Sequence, residues 1–247
     1  MVVGQYSKSK MKTGIIIQAR MGSERLPGKV LREIGGKSIL EILINRIKNC
    51  GLSIIVATTT NIKDDILVEK LKSLNLPYYR GSEEDVLTRY YQCALEHKLD
   101  TVMRLTADNP FVNDVLINEV YTAYLNENNE NLYVYTEKYP IGVGLEIFSF
   151  STLKEAFINA KDAKEREHVT PYIMNCKNVT KKILNYKENK ENYRLTIDTE
   201  ADFKLAEELI IKYNAETLNI DELVNILDAN PKLAEINLGV KQKEWND

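Results

Sequence analysis

The stretch from Ile15 to Leu31, IIIQARMGSERLPGKVL, constrains the chain more than any other. A run of isoleucines breaks into a loop that carries Arg20, Gly22, Arg25, Gly28 and Lys29, and then leads toward a helix. A strand ending in such a loop sets main-chain N–H groups and cations around one pocket, which suits a polyphosphate. The spacing departs from both familiar phosphate loops. Five residues separate Gly22 from Gly28, and Val30 rather than Ser or Thr follows Lys29, so neither GxGxxG nor GxxxxGK[ST] fits. A basic loop broken by Gly and Pro reads equally as a solvated turn, so other segments must decide.

The apolar runs Ser53–Thr58 and Thr101–Leu105 are of the kind that becomes a strand buried on both faces, and a short strand is expected at Pro77–Tyr79. Helices are expected between them. Ser38 caps one that carries Ile39, Ile42, Leu43 and Ile47; others span Asp64–Leu74, the stretch opened by Ser82 and Asp85 through Glu96, and Asn113–Leu125. Parallel neighbours need crossovers, so this rhythm implies an α/β fold with a mostly parallel sheet covered on both faces. Ligands of such sheets lie beyond the carboxyl ends of the strands, a rule that gathers the first loop, Thr58–Asn61, Arg80–Ser82 and Asp108 on one rim. After the polar break Asn126–Asn131 the rhythm changes. Residues 132–186 read as an antiparallel insertion or lobe, with a turn at Ile141–Gly144, a strand Leu145–Phe150, a helix Leu153–Ala160 and a strand near Thr180–Tyr186. A further strand, Tyr193–Ile197, stops at Asp198, and Thr199 introduces the next helix. The expected organisation is a loose leader at 1–11, with Met11 a candidate functional start, one domain at 12–230 that includes the 132–186 lobe, and a polar tail at 231–247 that contains Trp245.

The 247 residues, 44% hydrophobic, suffice for one large domain or a domain with an appended lobe. Charges of 33 Lys+Arg against 36 Asp+Glu give no general basic field, which argues against nucleic acid or an anionic membrane as partner. No apolar run approaches the ~18 residues of a membrane span, and the first residues lack the apolar core of a signal peptide. Cys50, Cys93 and Cys176 are odd in number and lack ligand spacing, so they read as reduced thiols of a cytoplasmic protein.

Asp108 and Asp198 each follow an apolar strand. Two carboxylates supplied singly from separate elements, with water and phosphate oxygens completing the shell, are the usual protein arrangement for Mg²⁺; each Asp also reads as a helix N-cap. Thr58 and Thr59 suit a base or ribose, or equally the cap of the following helix, and Arg80 is placed to reach nucleotide or acceptor. Across the cleft the lobe offers Glu146, Arg166, Glu167, His168 and Thr170 toward an acceptor, although EREH also reads as a solvated helix face. Arg89 is expected as a surface ion-pair partner and Tyr90 as packing.

The segments QARMGSERLPGKVL, RGSEEDVLTRYY, RLTADNPFV, GLEIFSF, EREHVTPYI and RLTIDTEADF, in order between residues 14 and 212, resemble the cytidylyltransferase family. That family includes the SpsF-type spore-coat polysaccharide proteins and, more distantly, the CMP-sialic acid and CMP-Kdo synthetases. The resemblance implies a Rossmann-like nucleotidyltransferase sheet with a small antiparallel dimerisation lobe, hence a homodimer. It places the phosphate loop on Arg20, Gly22, Ser23 and Lys29, Ala19 against the base, and Asp108 and Asp198 on the metal. Gln18 stands where the sialic acid enzymes have Pro, Glu24 replaces a small hydroxyl residue, and Ala107 and Asn109 replace Gly and Cys, changes that bear on the acceptor more than on the nucleotide. The implied reaction is attack of an acidic or phosphorylated sugar-like acceptor on CTP with loss of pyrophosphate, for surface polysaccharide assembly. In it, charge on the phosphate oxygens falls to Arg20, Lys29 and Mg²⁺ held by Asp108. Another nucleotide such as GTP, a nucleotide-sugar-dependent glycosyltransferase and a non-catalytic nucleotide-binding module are the rival readings.

Overall fold

The computed structural model describes residues 11–127 and 129–242. In chain order its elements are β1 (Thr13–Gln18), β2 (Glu33–Ile34), β3 (Lys37–Ser38), α1 (Ile39–Ile47), β4 (Ser53–Thr59), α2 (Asp65–Ser73), β5 (Tyr78–Gly81), α3 (Val86–Glu96), β6 (Thr101–Thr106), α4 (Asp114–Leu125), β7 (Leu132–Glu137), β8 (Glu146–Ser149), α5 (Phe150–Asn159), α6 (Ala163–His168), α7 (Pro171–Asn175), β9 (Thr180–Asn185), α8 (Glu200–Tyr213), α9 (Ile220–Ala229) and α10 (Pro231–Glu235). A seven-stranded sheet runs β5-β4-β1-β6-β8-β7-β9, and β2 with β3 forms a separate small antiparallel hairpin.

The isoleucines of β1 explain its central place. Ile15 and Ile17 face one hydrophobic core and Ile16 the other, so both faces of the strand need cover. The same split recurs in β6, where Met103 and Leu105 face the first core and Val102 the second. β1 pairs in parallel with β4 and β6, with Gln18 level with Ala57 and Thr106, so three strands end together. That shared end positions the site. α1 begins as expected: Ser38 Oγ accepts the Glu41 N–H at 3.3 Å while the Glu41 carboxylate accepts the Ser38 N–H at 2.8 Å.

The antiparallel character expected after residue 131 is carried by β8, which runs antiparallel to both β6 and β7, while β9 lies parallel to β7. These strands extend the main sheet. Tyr133 and Phe148 pack into one core and Val134 and Ile147 into the other, so β7 and β8 also require cover on both faces.

One expectation is corrected. Tyr193–Ile197 is no strand: a single bridge joins Arg194 to Ile141, and the segment's main-chain bonds are shared between Ile141 and, at Ile197, the Asp108 carbonyl. Apolar alternation there signals burial, not pairing. The described part of the polar tail, residues 231–242, lies against the domain. α10 packs on the domain, and buried Asn237 donates to the Arg194 carbonyl at 3.0 Å and to Asp202 at 2.8 Å. The leader at residues 1–10, Asn128 within the polar break and Trp245 lie outside the described residues. Cys50, Cys93 and Cys176 are free thiols, the first two buried. Among the described residues no helix is long and apolar enough to cross a membrane.

Candidate active site

The loop after β1 is fixed from three sides. Ala19 donates to the Ala57 carbonyl at 3.2 Å, Ala107 donates to the Gln18 carbonyl at 3.0 Å, and the Met21 N–H reaches the buried Asp64 carboxylate at 2.7 Å. Leu26 and Val30 plug the loop into the core. Gly28, at φ +68, turns the chain in the left-handed region, where a side chain would be strained. A single 3₁₀ turn, Lys29–Leu31, follows, and its first side chain points inward, only 9% exposed.

The Lys29 ammonium lies 2.6 Å from Asp108 Oδ2 and 2.7 Å from Asp198 Oδ1. The main-chain bond from Ile197 to the Asp108 carbonyl, 2.8 Å, is why two carboxylates so distant in sequence meet. Asp108 Oδ1 accepts from Thr106 Oγ1 at 2.6 Å. Asp198 Oδ2 faces Arg194 at 2.6 Å and Arg25 at 3.0 Å, and the Asp198 N–H donates to Asp202 at 3.0 Å. Burial works to raise the Asp198 pKa, but the charge and hydrogen bond of Lys29, with the charges of Arg25 and Arg194, outweigh it and hold the carboxyl below its ordinary value. Burial likewise works to lower the Lys29 pKa, and the two aspartates reverse it, so the ammonium stays charged.

This cluster borders a cavity of about 280 Å³ that is also lined by Gln18, Ala19, Arg20, Ser23 and Glu167. A second cavity, about 450 Å³, shares Gln18, Arg20, Glu24 and Glu167 with the first and is further lined by Arg89, Arg104 and His168. Of the site residues expected from sequence, Ala19, Arg20, Ser23, Lys29, Asp108, Asp198 and Glu167 thus share one cavity and His168 borders the next. Gly22 sits in the loop beside them without lining either cavity.

Other residues are placed elsewhere. Thr58 and Thr59 are buried, and both hydroxyls donate to Asp64, at 3.1 Å from Thr58, so they secure the loop rather than face a nucleotide. Arg80 donates to the carbonyls of Thr59 at 2.8 Å and Asn61 at 3.0 Å and pairs with Asp65 at 2.7 Å, which ties β5 to β4. Arg166 bonds Asp85 at 2.5 Å and Thr88 at 2.7 Å, fastening α6 to the start of α3. Glu146 stands opposite Arg104 in the β6–β8 register, 2.6 Å away, and also accepts from Tyr133 and, at 2.8 Å, from Thr170. That carboxylate is saturated, and its service to the site is to hold Arg104. Arg89 is no surface residue: it is 1% exposed and donates to the Ser82 carbonyl at 2.6 Å. Sequence reasoning left out Arg104, Arg194 and Asp202, although Arg194 and Asp202 flank Asp198 at four residues on either side.

A mostly parallel sheet whose first strand ends in a cationic glycine loop, facing carboxylates at the strand ends, is suited to a nucleotide's phosphates, and comparison with known proteins makes the chain a nucleotidyltransferase. The family model described as Cytidylyltransferase matches residues 14–232, and the chain belongs to that family. It is 41% identical to the uncharacterized protein MJ1063 of Methanocaldococcus jannaschii over 96% of this chain and 99% of that one. It is 34% identical to the spore coat polysaccharide biosynthesis protein SpsF of Bacillus subtilis, over 89% of this chain and 95% of SpsF. Among solved structures, a cytidylyltransferase from Leptospira borgpetersenii matches with a TM-score of 0.87 at 28% identity, covering 95% of this chain and all, 100%, of that one.

Proposed function

We propose that the enzyme transfers CMP from CTP to an acidic or phosphorylated sugar-like acceptor and releases pyrophosphate. One observation carries the reading: a charged ammonium flanked by two carboxylates in a cavity that shares Gln18, Arg20, Glu24 and Glu167 with a second, larger one. The first cavity receives the triphosphate beside Arg20, Arg25 and Lys29, with the base toward Ala19. The second receives the acceptor beside Arg104, Glu167 and His168. An acceptor oxygen forms its bond to the α-phosphorus as the bond from that phosphorus to the pyrophosphate oxygen breaks. Negative charge grows on the departing pyrophosphate, where Lys29 and the loop arginines stabilise it; positioning and electrostatics carry the step.

Asp108 and Asp198 fit a Mg²⁺ site in their chemistry, because hard oxygens from separate segments already converge on one cation. Among the described residues there is no group of three or more His, Cys, Asp or Glu side chains that could hold a metal ion. Mg²⁺ held there supplies neutralisation of phosphate charge.

The similarity to SpsF supports a place in surface polysaccharide assembly; that the enzyme works as a cytoplasmic homodimer is part of the same proposal, the dimer being what the family resemblance implies. Mass spectrometry and pyrophosphate release test the reaction: CTP, GTP and UTP are each incubated with a panel of acidic and phosphorylated sugars. The expected product is acceptor plus CMP, from CTP far faster than from the others. Product from GTP or UTP as fast as from CTP, or, in a parallel incubation with nucleotide sugars, release of a free nucleoside diphosphate with glycoside formation, would sink the reading. Sedimentation at micromolar concentration checks the dimer.

A further inference from the structure

Lys29 occupies the place that two metal-binding carboxylates leave for a cation. Its Nζ bridges Asp108 at 2.6 Å and Asp198 at 2.7 Å. Around it the carboxylates of Asp108, Asp198 and Asp202 face Lys29, Arg25 and Arg194, with Arg194 Nε 2.9 Å from Asp202, while Arg20, Glu24 and Glu167 also line the cavity. A divalent ion arriving while Lys29 stays in place would sit against an ammonium that already occupies the space between the two carboxylates, and the two cations repel. A nucleoside triphosphate carries more negative charge than either carboxylate, so it competes for the Lys29 ammonium, and the two carboxylates the ammonium vacates then face one cation fewer, which a divalent ion can replace.

We propose that Lys29, besides its part on the phosphates, stands in for the divalent cation between Asp108 and Asp198 in the nucleotide-free protein, and that the triphosphate draws its ammonium away so that metal and nucleotide enter together. The proposal rests on the metal site of the preceding section. The geometry allows the exchange without dismantling the site. Asp108 keeps its bond to Thr106 at 2.6 Å, Asp198 keeps Arg194 at 2.6 Å, and the Asp198 N–H keeps Asp202 at 3.0 Å; none of these involves Lys29. The carboxylates therefore stay converged when the ammonium leaves. A lysine suits the task, because its ammonium is a compact point charge on a four-carbon stem that swings without main-chain movement.

The test is Mn²⁺ binding to the full chain, followed by electron paramagnetic resonance, without nucleotide and with α,β-methylene-CTP, which cannot release pyrophosphate. In the unaltered protein, Mn²⁺ alone is expected to bind at least tenfold more weakly than Mn²⁺ with the analogue, a comparison that needs no variant. Lys29→Met is expected to bind Mn²⁺ alone at least tenfold more tightly than the unaltered protein, and adding Asp108→Asn is expected to abolish that gain. Equal Mn²⁺ affinity with and without analogue in the unaltered protein, or equal nucleotide-free affinity in Lys29→Met, overturns the stand-in role while leaving the metal site intact. Failure of Mn²⁺ to bind even with the analogue present removes the metal site itself, and the stand-in role with it.

Discussion

Asp64 and Asp108 lie past the ends of the two strands that flank β1, and they do opposite work. Asp64 is 1% exposed and its partners are neutral: the Met21 N–H at 2.7 Å, the Thr59 N–H at 3.2 Å and the hydroxyls of Thr58 and Thr59. Asp108 is 22% exposed, and its partners are one hydroxyl and the Lys29 ammonium. A carboxylate saturated by donors belonging to the loop it anchors has nothing to exchange. One whose main partner is a charge on a flexible stem can trade that charge for another. The first builds the site; the second, on the proposed reading, operates it.

The comparison breaks most visibly at Asp108. Asp108→Asn removes charge from the reacting cleft while keeping shape, and pyrophosphate release is expected to fall by about 10²–10³-fold. Its thermal midpoint should stay within a few degrees of the parent. A variant of near-parental kcat/KM would show that Asp108 does no more than Asp64 does.

Asp64→Ala inverts that pattern. It strands two buried hydroxyls and two N–H groups, at a cost of roughly 2–4 kcal/mol of stability, read as a lowered urea midpoint. Activity per folded molecule should fall less than in Asp108→Asn. Unchanged stability would mean that the loop is held by its hydrophobic plugs, Leu26 and Val30, alone.

The same contrast explains what was legible in the sequence. Lys29 and Asp108 declared themselves because their signals are local: a glycine turn after an apolar run, and an acid at a strand end. The central strands were equally plain, since burial on both faces writes a continuous apolar run. Thr58 and Thr59 misled because a hydroxyl at a strand end looks the same whether it faces a ligand or an inward acid, and the acid responsible, Asp64, looked like the start of a helix. Segment 193–197 misled because burial and pairing leave the same alternation, while its bonding to Ile141 and Asp108 is set by tertiary contact. Arg104 became a cavity residue only through its register opposite Glu146.

Gly142 sharpens the question of how Asp198 is kept in place. At φ +92, a Cβ on Gly142 would lie 2.3 Å from the Thr196 main-chain nitrogen, so the chain that carries Asp198 packs where only glycine leaves room. Gly142→Ala is expected to cost roughly 1–3 kcal/mol of stability and, by displacing residues 194–198, to raise the KM for CTP more than it lowers stability-corrected kcat. Loss of stability with an unchanged KM would separate Asp198 from that packing.

The smallest effect is expected at His168, which borders the second cavity. Burial lowers its pKa, Glu167 opposes this, and Arg104 and Lys164 add to it, leaving the folded value below the ordinary 6.5. The unfolded chain then binds the proton more readily, so stability is complete above the unfolded pKa and declines as pH falls from there through the folded value. The chain has 2 histidines, so the His168 resonance is assigned by its disappearance in His168→Gln and its titration followed by NMR. A midpoint below 6.5, with a shallow acid loss of stability that His168→Gln removes, fits a neutral imidazole that offers the acceptor a hydrogen bond. A midpoint above 6.5 would make His168 a cation, and the second cavity a more strongly anion-seeking partner of the first.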